Sequence, residues 1–144
     1  MRAIRAVFLT NGISLGVFYP FIAVILAVRG FSAVEIGVIL AISSAAFTIA
    51  VPAWGHLGDV VLGRRNALVI AALAGAAAML LAGAPIPGLA VAACFVTFSF
   101  FESGWGPLCD ALAVNAVKDH TRDYARVRLL TSVGMAASSA AGGL

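Results

Sequence analysis

Glu102 is the residue in this sequence that most needs a reason. No charged residue occurs between Arg65 and Glu102, so its carboxyl stands inside a long apolar run. Holding a carboxylate near the centre of a membrane helix costs at least about 2.5 kcal/mol. A residue kept despite that penalty reads as a proton-carrying or substrate-contacting carboxyl, or more plainly as one that caps or bonds a neighbouring helix. Counted from Gly88, it lies about 21 Å along its helix, where it should face protein or water. Asp110 follows eight positions later. On a continuous helix that is about 80° of rotation, so the two acids could look into a shared cavity. Across a charged segment, Arg126 and Arg128 open the next apolar run two positions apart, on nearly opposite sides of a helix. One of them points inward and the other snorkels toward headgroups. An ion pair of Asp110 with Arg128 is the expectation. In the first apolar run, Asn11 with Thr10 and Ser14 either lines a cavity or bonds a neighbouring helix.

Other chemistries find no support. No pair of carboxylates, histidine cluster or Ser/His arrangement has reactive spacing, so no enzyme is expected. His56 and His120 are far apart and lack ligand spacing, which argues against a metal site, and nothing implies a cofactor. Cys94 and Cys109 would lie about 22 Å apart on one straight helix. They read as small core residues, not a disulfide. The net charge of +3 comes from basic residues at the edges of apolar runs. Such residues are topology signals rather than a nucleic-acid-binding face.

The elements that must position these residues are membrane spans. Of 144 residues, 62% are hydrophobic and 10% charged, with a mean hydropathy of +1.08. A soluble domain of this size still needs a polar shell, so a lipid bilayer is the solvent this composition implies. The gaps between charged residues and the turn cluster Gly83, Pro85, Pro87 and Gly88 mark spans over residues 6–28, 34–57, 66–84, 88–112 and 127–144. The class is therefore all-α membrane protein, with four complete transmembrane helices and an incomplete fifth. Arg2, Arg5, Arg64, Arg65, Lys118, Arg122, Arg126 and Arg128 fall on one side and Arg29 alone on the other. The positive-inside rule then puts the N-terminus in the cytoplasm. A cleaved signal peptide is the competing reading of the first residues, but their apolar run is too long for one.

Local signals refine this picture. Ser32 to Glu35 fits a capping box at a helix start. Pro20 and Pro52 fall inside spans and can bend them. Gly12 and Gly16 stand in GxxxG spacing, and small residues recur from Gly134 to Gly143, as close helix packing in lipid requires. Trp54 and Tyr124 are expected at membrane interfaces, and Trp105 in the core.

The turn between the second and third spans reads Gly55-His56-Leu57-Gly58-Asp59-Val60-Val61-Leu62-Gly63-Arg64-Arg65. Asp59 can cap a helix start or accept from Arg64 or Arg65, clamping the turn. This pattern is similar to the signature of the major facilitator superfamily at the same turn, a Gly, an Asp four residues on, then a Gly and two basic residues. It departs from that signature in carrying Val60 directly after the Asp and in placing Gly63 one position late. GVFYPFIAVILAVRGFSAVEIGVIL, residues 16–40, looks like the first two spans of the lactose-permease-like sugar and proton symporters. GPLCDALA with YARVRLLTSVG resembles their fourth and fifth. The resemblance implies that Asp110 takes the place of the acidic residue in span four. It also implies that Arg128 takes that of the arginine pairing with it and contacting sugar. Asp is one methylene shorter than the family's Glu, and Glu102 has no assigned counterpart.

The resemblance further implies a partial six-helix N-terminal bundle of a twelve-span transporter. Such a bundle sits in a bacterial-type inner membrane and serves proton-coupled symport of a small polar solute by alternating access. Its partners are the bilayer, the solute, protons and the remaining helices, without which these residues alone should not transport. The alternative is a small membrane-embedded interaction or assembly protein that moves nothing, which leaves Glu102 and the Asp110 with Arg128 pair unexplained. A four-span multidrug-type pump would have a fitting length but lacks the charge expected in its first span.

Overall fold

The computed structural model describes residues 2–116 and 122–143; Lys118 and His120 of the charged segment lie outside them. Of the described residues 90% are helical, and no strand occurs among them. In order, α1 (Arg2–Phe18) passes through a 3-10 turn at Tyr19–Phe21 into α2 (Ile22–Val28), followed by α3 (Ala33–His56), a π turn at Leu57–Val61, α4 (Arg64–Gly83), α5 (Gly88–Glu102), α6 (Trp105–Ala116) and α7 (Arg122–Gly142). Among the described residues, four stretches are long and apolar enough to cross a membrane: Ala3–Val28, Ala33–Val61, Arg64–Gly83 and Gly88–Val114. Their outer surfaces carry large bare side chains such as Val34, Ile49, Leu80 and Leu89, which are 73–84% exposed. Hydrocarbon tolerates such a surface and water does not.

The chain divides into two compact bodies, one built from Leu26–Leu112 and the other from the described residues of Met1–Ile25 and Ala113–Leu144. In the latter, α1 packs along α7. The Gly12 and Gly16 spacing makes this possible. A Cβ at Gly12 would overlap the Thr131 carbonyl oxygen, and one at Gly16 would overlap Ser138 Oγ. From the other side, a Cβ at Gly134 would come within 2.8 Å of the Leu9 carbonyl oxygen. Backbones this close let short side chains bridge the helices. Thr131 Oγ1 donates to the Phe8 carbonyl at 3.1 Å, and Ser139 Oγ to the Gly16 carbonyl at 3.0 Å. Pro20 lies in the 3-10 turn, where its ring sets φ and its missing N–H is least needed.

The body of residues 26–112 is organised around α5, which packs against both α3 and α4. α4 presents a stripe of Ala67, Ala71, Gly75, Ala78 and Ala82, all buried, at the spacing that keeps one helix face inward. α5 answers with Val91, Cys94, Phe95 and Phe98. Pro52 stays within α3 without ending it.

Helix ends are closed individually. α2 stops at Gly30, whose φ of +88° suits a glycine and few other residues. Phe31 N–H bonds the Leu26 carbonyl at 3.2 Å and Gly30 N–H the Ala27 carbonyl at 3.0 Å, the Schellman pattern. The capping box expected at Ser32 is formed: Glu35 Oε2 accepts from Ser32 N–H at 2.8 Å and from Ser32 Oγ at 2.7 Å, while Glu35 N–H reaches Ser32 Oγ at 3.3 Å. α4 ends under the Arg29 guanidinium, which donates to the Ala84 and Ala82 carbonyls at 3.0 and 2.9 Å. A cation is the right charge for that end of a helix dipole.

Filling the closest glycine contact should loosen the α1 and α7 pair. Gly12→Leu is expected to lose about 1–3 kcal/mol, the usual result of forcing volume into a packed site, read as a lower unfolding midpoint of the purified chain in detergent. Ile13→Ala, at a neighbouring side chain 43% exposed, should stay within about 0.5 kcal/mol.

Candidate functional site

Two features of the Leu26–Leu112 body bear on chemistry, the turn between α3 and α4 and a break between α5 and α6. At the turn, the chain leaves α3 through one wide π turn in which Leu62 N–H bonds the Leu57 carbonyl at 2.8 Å. Gly58 is buried there, and a Cβ on it would overlap Leu108 Cδ2 of α6. Gly63 then takes φ +77° and ψ 143° to start α4, a region nearly closed to side chains. Asp59 Oδ1 accepts from Arg64 Nε at 2.8 Å, so the clamp expected from the motif forms, with Arg64 as the cation. Both side chains are more than one-third exposed, which limits the pair to about 0–1 kcal/mol of stability. Arg65 is exposed, and Gly55 has open space where a Cβ would be. The motif thus reduces to three structural members, Asp59, Gly63 and Arg64, with Gly58 as an unpredicted fourth.

The break falls at Ser103 and Gly104, where the apolar pattern predicts a single helix through residue 112. Its cause is local. Pro107 has no N–H to give the Ser103 carbonyl, and as the third residue of α6 it sits where a helix tolerates proline. Gly104 N–H turns to the Phe101 carbonyl at 3.2 Å instead of that of Phe100. The Phe100 carbonyl, released from the helical ladder, accepts from Ser103 Oγ at 2.7 Å and from Trp54 Nε1 at 2.9 Å. Gly104 is where the Trp54 ring lies, because a Cβ there would come within 2.6 Å of Trp54 Cγ.

Trp54 corrects an expectation. It is not an anchor at the membrane surface but is 3% exposed, in a cluster with Ala50, Ala67, Ala71 and Leu108. Its ring lies 5.7 Å from that of Phe101 and 6.1 Å from that of Phe100. Those two rings meet edge-on at 5.4 Å, a favoured aromatic arrangement.

The break changes the setting of the acids. Glu102 is the last residue of α5 and half-buried; Asp110 lies on α6, also half-buried. The rotation between them, counted for one continuous helix, does not apply across a break. Arg128 and Asn11 belong to the other body. Arg128 is exposed on α7 and donates from Nη1 to Tyr124 Oη at 2.9 Å; Asn11 is half-buried on α1. The structure therefore brings Glu102 and Asp110 into one body and Asn11 and Arg128 into another. Sequence reasoning missed Trp54, Ser103 and Gly104 as determinants of where Glu102 stands. The signal was present in Gly104-Trp105-Gly106-Pro107, two glycines and a proline within four residues.

These helices define an integral, multi-pass membrane protein. Residues 6–144 match the MFS_1 like family, so the chain belongs to that family of proteins related to the major facilitator transporters. No curated protein and no solved structure gives a match.

The two glycines at the ends of the motif should behave differently. Gly63→Ala is expected to destabilise the purified chain by about 1–3 kcal/mol, the usual strain of a side chain at such a backbone conformation. Gly55→Ala, inside α3 with nothing to meet, should be neutral or stabilising by up to about 1 kcal/mol. Paired unfolding curves in one detergent check both.

Proposed function

We propose that the chain forms the N-terminal part of a secondary active transporter that moves a small polar solute together with protons. The observation that carries this reading is the position of Glu102, a half-buried carboxyl at a break in a membrane-spanning stretch. Membership of the MFS_1 like family supports it. Broken membrane helices are where transporters hold substrate and ion sites, because the exposed backbone and the ionisable group then serve a cavity instead of lipid.

In this reading Glu102 and Asp110 are the proton-carrying candidates. Protonation removes the charge that disfavours a dry environment, so a protonated acid tolerates a conformation closed to water and an ionised one favours an open state. Arg128 is the cationic candidate for contact with the solute, and Asn11 the uncharged one. The Asp59–Arg64 pair clamps the turn in one conformation. With a strength of about 0–1 kcal/mol, it biases an equilibrium without locking it. The N-terminus lies in the cytoplasm, with the chain in a bacterial-type inner membrane; the distribution of basic residues other than Arg29 supports that orientation. The opposite half of the transport path comes from further helices, and the 144 residues alone do not transport.

Glu102→Gln separates this reading from that of a membrane assembly protein. In lightly buffered cells making the complete transporter, adding the transported solute should raise the external pH. The substitution should cut uphill accumulation about 5- to 150-fold, the usual range of a coupling energy, while solute exchange persists. Unchanged accumulation in Glu102→Gln refutes Glu102 as the coupling carboxyl. Saturable uptake by the purified 144-residue chain in liposomes refutes the need for further helices.

A further inference from the structure

We infer that Trp54 is a positioning residue: its indole N–H, by holding the Phe100 carbonyl out of the helical ladder, fixes the break between α5 and α6 and with it the placement of Glu102. The inference rests on the reading of Glu102 as the working carboxyl, and it assigns a role to a residue on a different span.

The break has two supports, and they differ in kind. Ser103 Oγ reaches the Phe100 carbonyl from three residues away on the same chain segment, at 2.7 Å. A serine side chain can make such a bond to its own helix in many backbone conformations. It fills one lone pair without choosing a direction for the chain that follows. Trp54 Nε1 comes from α3, forty-six residues away in sequence, at 2.9 Å. It fills the second lone pair from a fixed point, since the tryptophan is 3% exposed and wedged among Ala50, Ala67, Ala71 and Leu108. The same ring occupies the place where a Cβ on Gly104 would be. Hydrogen bond and steric seat therefore act on consecutive parts of one turn, and Glu102 is the residue between Phe100 and Gly104 that carries a carboxyl.

Lipid sharpens the effect. In water a released carbonyl finds a solvent partner, whereas in hydrocarbon it must find one in the protein or return to the ladder. With the indole N–H removed, the Phe100 carbonyl keeps Ser103 Oγ, and its vacated lone pair is open to Gly104 N–H, its ordinary helical donor. Recovering that bond draws Ser103 and Gly104 toward helical geometry, turns the end of α5, and moves Glu102. Leu108, which packs at Gly58 and in the Trp54 cluster, and Cys109, 3% exposed beside it, would be carried with α6.

The test replaces Trp54 in the purified chain by benzothienylalanine, which has the shape of tryptophan with sulfur in place of the N–H. Trp54→Phe serves as a second variant, keeping a ring but not its size. Two readouts are taken in lipid. One is the infrared carboxyl band of Glu102, identified by its loss in Glu102→Gln. The other is the rate at which maleimide labels Cys109, compared with Cys94 on the α5 side of the break, using Cys94→Ser and Cys109→Ser as the single-cysteine forms. The expected result is a displaced or split Glu102 band and about tenfold or faster labelling of Cys109 with Cys94 little changed. Tenfold corresponds to about 1.4 kcal/mol, the scale of a hydrogen bond left unmade in a buried place. Helix content by circular dichroism should not fall, which separates lost positioning from unfolding.

An unmoved Glu102 band with unchanged Cys109 labelling in the isosteric variant overturns the inference. That result is distinct from failure of the transport reading. If Glu102→Gln leaves coupling intact while the isostere displaces the band, Trp54 positions a carboxyl that does not couple. If Glu102→Gln abolishes coupling while the band stays in place, Glu102 works and Trp54 does not aim it.

Discussion

A bilayer interior supplies no water to a broken backbone, and this governs the break between α5 and α6 inside a membrane-spanning stretch. At three places among the described residues, carbonyls that lose their helical partners find others in the protein. Arg29 takes the last carbonyls of α4, the Schellman turn at Gly30 those of α2, and Trp54 with Ser103 the one released at the end of α5. The wide turn after α3 keeps its ladder by lengthening each bond's reach by one residue. None of these solutions uses a charged pair, except at the exposed Asp59 and Arg64. At these three places the polar side chains are directed at the main chain.

The same scarcity explains how the helices associate. Lipid removes the hydrophobic incentive for two helices to meet, so contact depends on how near the backbones can come. In the body containing α1 and α7, Gly12, Gly16 and Gly134 bring the two helices together until hydroxyls of Thr131 and Ser139 reach across. In the body of residues 26–112, alanines on α4 face aromatic and branched residues on α5. Other large side chains, Val34, Ile49, Leu80 and Leu89 among them, are turned outward, where hydrocarbon accepts them.

Much of this is legible in the residues alone. Gaps between charges mark the apolar stretches, Ser32 with Glu35 announces a helix start, and the glycine spacing of the first helix tells of a close partner without saying which. Asp59 beside Arg64 is readable because both partners lie within one turn. What escapes is set by contacts distant in sequence. Nothing local tells that Arg29 meets Ala82 and Ala84, or that the indole of Trp54 is buried against a break forty-six residues on. Tryptophan favours membrane surfaces on average, and here a glycine at position 104 overrides that preference by making room. The break itself is obscured because apolar character runs through it unchanged. Only glycine and proline mark it, and hydropathy does not register backbone geometry. Glu102 and Asp110 can be singled out for their rarity, but their relative placement cannot be counted along a helix that does not continue.

The bond from Arg29 to the end of α4 has a mechanical corollary. It ties the connection entering α3 to the connection leaving α4 with two partly buried, charge-assisted links. At the opposite ends the two helices are joined by the chain itself, through a short π turn that the Asp59–Arg64 pair spans and that sits on the buried cluster of Trp54, Ala67 and Leu108. Two rods fastened at both ends resist splaying from either. The compliance of this body therefore belongs to the interrupted stretch at Ser103 and Gly104, where one helix gives way to the next.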